Sequence, residues 1–170
     1  MDLQKIATIM KQLIIIRHGK STWDLPVRDY DRVLTQRGID DAHLIGKALR
    51  KIDLIPDAIW SSTAARALQT AIIVTEYVDY NFKNLKLKRD LYTFDSNDLL
   101  KIIATCDDNL NSLIIFSHNH GITDLVNQLG STKFDNVPTS GVVAIDFDSN
   151  SWSALLKGTT KFHLFPKQIK

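Results

Sequence analysis

QLIIIRHG, Gln12 to Gly19, runs from an apolar stretch into an arginine and a histidine set side by side. Gln12 to Ile16 has the continuous apolar pattern of a strand buried on both faces, and Arg17-His18 mark where it leaves the core. Two other runs end alike. Ala58-Ile59-Trp60 exits into Ser61-Ser62, with Arg66 four residues on, and Leu113 to Phe116 exits into Ser117-His118-Asn119. Amphipathic segments lie between them. Thr35 offers an N-cap to a helix marked by Ile39, Ala42, Gly46 and Leu49 up to Lys51; Thr63 to Tyr77 and Asn97 to Cys106 read as helices; Ile122, Leu125, Val126 and Leu129 repeat at helical spacing until Gly130. Leu85 to Leu87 is a weaker strand. Gly141 to Phe147 and Ser151 to Leu156 are expected as two late strands about a turn at Ser149-Asn150. This alternation predicts an α/β protein, a three-layer α/β/α sandwich around a mostly parallel central sheet, whose site forms at the carboxyl ends of the strands. The three polar exits then converge.

Composition narrows the function classes. With 170 residues, 44% hydrophobic and 24% charged, the chain suffices for one domain over residues 1–170, in which the pattern-poor residues 1–9 are expected to be a dispensable extension. A net charge of +2 without runs of like charge gives no basis for nucleic-acid or membrane-surface binding. The single cysteine, Cys106, excludes an internal disulfide and is expected to be a buried, inert thiol. Nothing resembles a signal peptide or a membrane span, so a soluble, cytoplasmic protein is expected.

Two histidines and two arginines at one sheet edge suit a phosphoryl dianion. Arg17 and Arg66 can each present paired N–H donors to phosphate oxygens. Of His18 and His118, one as a neutral imidazole can attack phosphorus, and the other, if protonated, can stabilise the equatorial oxygens. Gly19 would let the backbone approach the anion. A metal centre of His18, His118 and His120 is disfavoured because the neighbouring arginines repel a cation. His43 and His163 are expected to be structural.

These residues resemble the histidine phosphatase, or phosphoglycerate mutase-like, superfamily. Its Arg-His-Gly signature is present as Arg17-His18-Gly19 within RHGKSTWD. DYDRVLTQRG (Asp29 to Gly38), PDAIWSSTAARALQTA (Pro56 to Ala71) and FSHNHG (Phe116 to Gly121) are similar to its small SixA-like branch of phosphohistidine phosphatases, and the likeness continues less distinctly through VPTSGVVAIDFD and SWSALLKG. The resemblance implies a phosphoglycerate mutase-like fold, His18 as the nucleophile that becomes phosphorylated, and Arg17, Arg66 and His118 as the phosphate pocket. Ser21 and Asn119 would contact substrate, and no metal or other cofactor would be needed. The chain departs from the pattern in three ways. Its 170 residues leave little room for the extra segments by which mutases cover a small diphosphate, which implies hydrolysis in an open site. Thr93 stands where SixA-like chains often carry an acid, leaving Asp24 and Asp95 as candidate proton donors, with Asp24 alternatively orienting Arg17 or Arg32. His120 replaces a usual proline and would either contact substrate or cap the helix.

The resulting expectation is a metal-independent phosphatase acting on a phosphorylated substrate, with a phosphohistidine-bearing protein as its partner. A small-molecule or sugar-phosphate phosphatase and a non-catalytic phosphate-binding module are the alternatives.

Overall fold

The computed structural model describes residues 10–170; the expectation for residues 1–9 lies outside them. Leu13 to Ile16 form the middle of β1 (Met10–Arg17) and are fully buried. Alternation divides them between two cores, Leu13 and Ile15 entering one, Ile14 and Ile16 the other. β4 (Ser112–Ser117) does the same with Leu113 and Ile115 against Ile114 and Phe116. The two strands pair in parallel, Leu13 opposite Leu113 and Arg17 opposite Ser117.

β2 (Ala58–Ser61) lies parallel to β4 on its far side, and the short β3 (Lys86–Leu87) extends that edge. On the other side β5 (Val142–Asp148) runs antiparallel to β1, and β6 (Thr159–Leu164) antiparallel to β5, giving the order β3-β2-β4-β1-β5-β6. α1 (Gln36–Lys51) and α2 (Ala65–Thr75) cover one face through Ile45, Leu49, Ala71 and Val74. α3 (Ser96–Ile103) and α4 (Gly121–Leu129) cover the other through Leu99, Ile103, Ile122 and Leu125. The predicted three layers and mostly parallel sheet are therefore present. A one-turn α5 (Pro166–Ile169) follows β6. Among the described residues no helix is long and apolar enough to cross a membrane.

Local signals mostly hold. Thr35 caps α1 by accepting from the Gly38 N–H at 3.0 Å. Gly130 ends α4, but not by a left-handed turn: its φ is −91°, and a Cβ there would lie 2.5 Å from Thr160 Oγ1. Cys106 is a buried free thiol whose pKa burial raises to about 11, which keeps it protonated and inert.

The last expected strand is a correction. Ser151 to Leu156 is not extended; Trp152–Ala154 is a 3-10 turn, and the final strand is Thr159–Leu164. Trp152 decides this by turning into the core, 1% exposed, where its indole N–H donates to Leu110 O at 2.7 Å and its backbone N–H to Asp108 Oδ1 at 2.8 Å. His163, expected to be structural, lies on β6, exposed and packed against Phe134 and Phe165.

Candidate active site

The registers bring Arg17-His18, Ser61-Ser62 and Ser117-His118 to one sheet edge, at the carboxyl ends of β1, β2 and β4. Their backbone continues the sheet's pairing. His18 N–H donates to Ser117 O at 3.2 Å, and Ser62 N–H to Phe116 O at 2.9 Å. Ser140 braces the other side, its N–H shared between the Arg17 and His18 carbonyls at 3.1 Å each, with a left-handed φ of 60° that this bracing holds in place. Thr70 on α2 ties the layers together, accepting from Gly19 N–H at 2.9 Å and donating to Arg66 O at 2.7 Å.

Gly19 therefore does not face an anion. Its N–H is used by Thr70, and a Cβ there would sit 3.0 Å from Gly38 O. At Gly38 a Cβ would lie 2.2 Å from Lys20 O. Both glycines serve a close contact of backbones between the loop after β1 and the start of α1.

His18 is buried, and its Nδ1–H donates to Gly19 O at 2.7 Å. That bond fixes the tautomer and leaves the lone pair on Nε2, which accepts from Arg66 Nε at 3.2 Å. Burial, aided by the charges of Arg66, Arg17 and Arg32 against the opposing Gly19 bond, lowers its pKa to about 3. It is a neutral base at physiological pH. His118 stands beside it, ring centroids 5.1 Å apart, with Nε2 2.8 Å from Ser62 Oγ. Burial first, then His18 and Arg66, lowers its pKa to about 2. The second histidine is thus neutral rather than protonated.

Arg66 departs from the expected clamp. Its Nη1 donates to Asp29 O at 2.7 Å and its Nη2 to Asp29 Oδ2 at 3.0 Å, so an internal carboxylate engages the fork while Nε turns to His18. Asp29 also accepts from Tyr92 O–H at 2.6 Å and from Arg32 Nε at 3.2 Å. Burial pushes the Asp29 carboxyl up, but the bonds from Tyr92 and Arg66 and the arginine charges outweigh it and leave the pKa below the usual value. Arg17 donates through Nη1 to Val137 O at 2.8 Å. Its Nε and His118 Nδ1 are buried without a partner among the described residues.

The pocket at this edge has a volume of about 300 Å³. Arg17, Lys20, Arg32 and Arg66 line it with one carboxylate, Asp29. Ser21 and Asn119 also reach it, Asn119 held by Asn136 at 2.7 Å and accepting from Thr123 N–H at 3.0 Å. A larger cleft of about 580 Å³ around Arg89, Tyr92, Thr93 and Lys101 is lined by no histidine, whereas His18, Arg17 and Arg66 line the smaller pocket.

Three expected residues fall elsewhere. Asp24 is exposed, outside the pocket lining, and bonds neither Arg17 nor Arg32; Asp29 takes Arg32 instead. Asp95 caps α3, its Oδ1 accepting from Asn97 N–H at 2.8 Å. His120 is exposed and makes no side-chain cap, which Asn119 supplies to Thr123. His43 bonds Tyr77 O–H at 2.8 Å, away from the pocket. Sequence reasoning places Ser62 at the site edge without a role and misses Asp29, Tyr92 and Ser140. Of these only Asp29 had a signal, its i,i+3 spacing to Arg32, which the Arg28–Asp31 pair next to it obscures.

Residues 13–92 match the histidine phosphatase superfamily (branch 1). The match takes in Arg17, His18 and Arg66 and stops before β4, short of half the chain. An uncharacterised chloroplastic protein of Arabidopsis thaliana is 27% identical over 154 residues, 85% of this chain and 70% of the plant protein. The 2,3-bisphosphoglycerate-dependent phosphoglycerate mutase of Chlamydia abortus is 43% identical over 67 residues, so this chain aligns with only 29% of the mutase's length. The protein histidine phosphatase SixA complexed with tungstate shares the fold, with a TM-score of 0.78, 22% identity and coverage of 94% of this chain and 99% of SixA. The family match over residues 13–92, together with the shared fold, supports a phosphatase enzyme.

Proposed function

We propose that the protein is a metal-independent phosphatase that works through a phosphohistidine at His18, with protein-borne phosphohistidine as its substrate class. The observation that carries this reading is the His18 Nε2 lone pair, held free of a proton by the Nδ1–H bond to Gly19 O and facing a pocket of four cationic side chains. Nε2 attacks phosphorus, the bond to the leaving oxygen or nitrogen breaks, and the electron pair departs with the leaving atom, which takes up a proton. Water then attacks the phosphoryl group, the P–N bond breaks, and Nε2 recovers its lone pair as inorganic phosphate leaves.

The surrounding groups fit these steps. Arg17 Nε and His118 Nδ1 offer hydrogen bonding to phosphoryl oxygens, and an arriving dianion raises the His118 pKa, favouring the protonated, donating form. The guanidinium charges supply what a metal would, and would repel one. Asp29 is the carboxylate within the pocket; ionised, it suits accepting a proton from the attacking water better than donating one to the leaving group. A phosphoramidate leaving nitrogen takes its proton readily, which fits phosphohistidine without a strong acid at Thr93. The tungstate bound to the structural relative SixA is a tetrahedral oxyanion of the kind this pocket suits.

A second reading is a non-catalytic phosphate binder, favoured by the placement of Asp24 and Asp95 outside the pocket. Hydrolysis of p-nitrophenyl phosphate and of phosphohistidine with EDTA present, in wild type and His18→Ala, separates the two. Turnover that survives EDTA and disappears with His18 supports the phosphatase. Phosphate or tungstate binding without turnover supports the binder.

A further inference from the structure

We infer that Trp23 and Phe94 form a subsite for an aromatic leaving group at the mouth of the phosphate pocket; this rests on the phosphatase reading above. Both rings line the pocket and both are exposed, Trp23 to 73% and Phe94 to 52%. They are held in place all the same. Trp23 lies over the Arg32 guanidinium, 3.5 Å from its ring centroid, and Phe94 packs at 5.6 Å against both Tyr92 and His118. Each ring is fixed on its inner side by a residue of the phosphate site and presents the rest of its surface to the mouth.

Direction of attack selects what meets that surface. In an in-line displacement the leaving group departs on the side of phosphorus opposite the attacking atom. His18 Nε2 lies at the buried end, so the leaving group projects outward, where Trp23 and Phe94 flank the opening. A planar ring attached to the phosphoryl group gains offset or edge-to-face contacts there and covers apolar surface that otherwise faces water. An alkyl or sugar substituent gains less. The ring comes from either of two sources, an N-phosphorylated imidazole or an O-phosphorylated phenol.

Binding of phenylphosphonate, methylphosphonate and tungstate, followed by calorimetry, tests the subsite without turnover. Wild type is expected to prefer phenylphosphonate to methylphosphonate by about 10-fold, and Trp23→Leu and Phe94→Leu each to reduce that ratio by about 2- to 10-fold. A ratio that is the same in all three proteins overturns the subsite while tungstate binding upholds the phosphate pocket. Failure of all three ligands to bind wild type overturns the phosphatase reading itself. Turnover of phosphoimidazole against phenyl phosphate identifies the source of the ring: the pair member whose kcat/KM falls more in Trp23→Leu is the one seated there, and no fall for either counts against the subsite.

Discussion

Lys11 and Arg17 sit near opposite ends of the same strand, and each carries a cation toward the interior in a different way. Lys11 is fully buried and fully served: its Nζ donates to Asp108 O, Leu110 O and Asn111 Oδ1, with the Trp152 ring 5.6 Å away. Arg17 has one protein acceptor, Val137 O, a second guanidinium as neighbour and an Nε with no partner among the described residues. Burial and the charge of Arg66 both lower its pKa, meaning that the fold holds this cation where it is not welcome. A satisfied buried cation secures structure. An unsatisfied one at a cluster of like charges costs the protein some stability, and in the proposed function it is the group that meets the phosphoryl anion.

Substitution at the two ends should therefore separate activity from stability. Arg17→Met is expected to lower kcat/KM by about 10²–10³-fold, through loss of transition-state stabilisation, while thermal melting stays level or rises. A large fall in Tm would remove the contrast. Arg66→Ala should lose activity on a similar scale, and Arg66→Lys should recover part of it, because lysine keeps the charge but lacks the planar fork that spans Asp29 and His18. Equal rates in all three proteins would take Arg66 out of the site. Lys11→Met reverses the pattern: about 2–4 kcal/mol of stability lost in denaturant titration, from acceptors left unpaired, with kcat/KM per folded molecule unchanged.

Acid sharpens the same contrast. His18, lowered to about 3, is neutral in the folded protein but binds a proton below about 6.5 when unfolded. The unfolded state then holds more protons, so stability falls as pH drops from about 6.5 toward 3, by about 2 kcal/mol at pH 5 from this one group. His18→Ala should lower the slope of ΔG against pH over that window, leaving the part that the neutral His118 contributes; an unchanged slope would show that the His18 ring is not held neutral. The smallest effect belongs to His43→Ala, which loses a hydrogen bond to Tyr77 and up to about 1 kcal/mol, with turnover within about 2-fold of wild type.

The parts of the molecule legible in the sequence are those governed by local pattern. Leu13 to Ile16 and Leu113 to Phe116 announce buried strands because no polar residue interrupts them, and their polar exits mark the site edge because parallel strands must end together. His18 and Arg66 could be named for the same reason. Their partners could not. Asp29 reaches Arg66 across 37 positions and Tyr92 reaches Asp29 across 63, and no spacing encodes such contacts. SWSALLKG misled because alternation records which side chains alternate between core and solvent, whereas a single tryptophan drawn inward by Asp108 and Leu110 bends the backbone out of the sheet.

The touching backbones at Gly19 and Gly38 have a consequence for how this sequence can vary. RHG and TQRG lie on either side of a loop and look like independent motifs, yet each forbids a side chain in the other's neighbourhood. Gly38→Ala would place a methyl 2.2 Å from the Lys20 carbonyl oxygen, so either the start of α1 or the segment that carries His18 must shift. A side chain at either position displaces the backbone of the other segment, so the two motifs vary under one packing constraint.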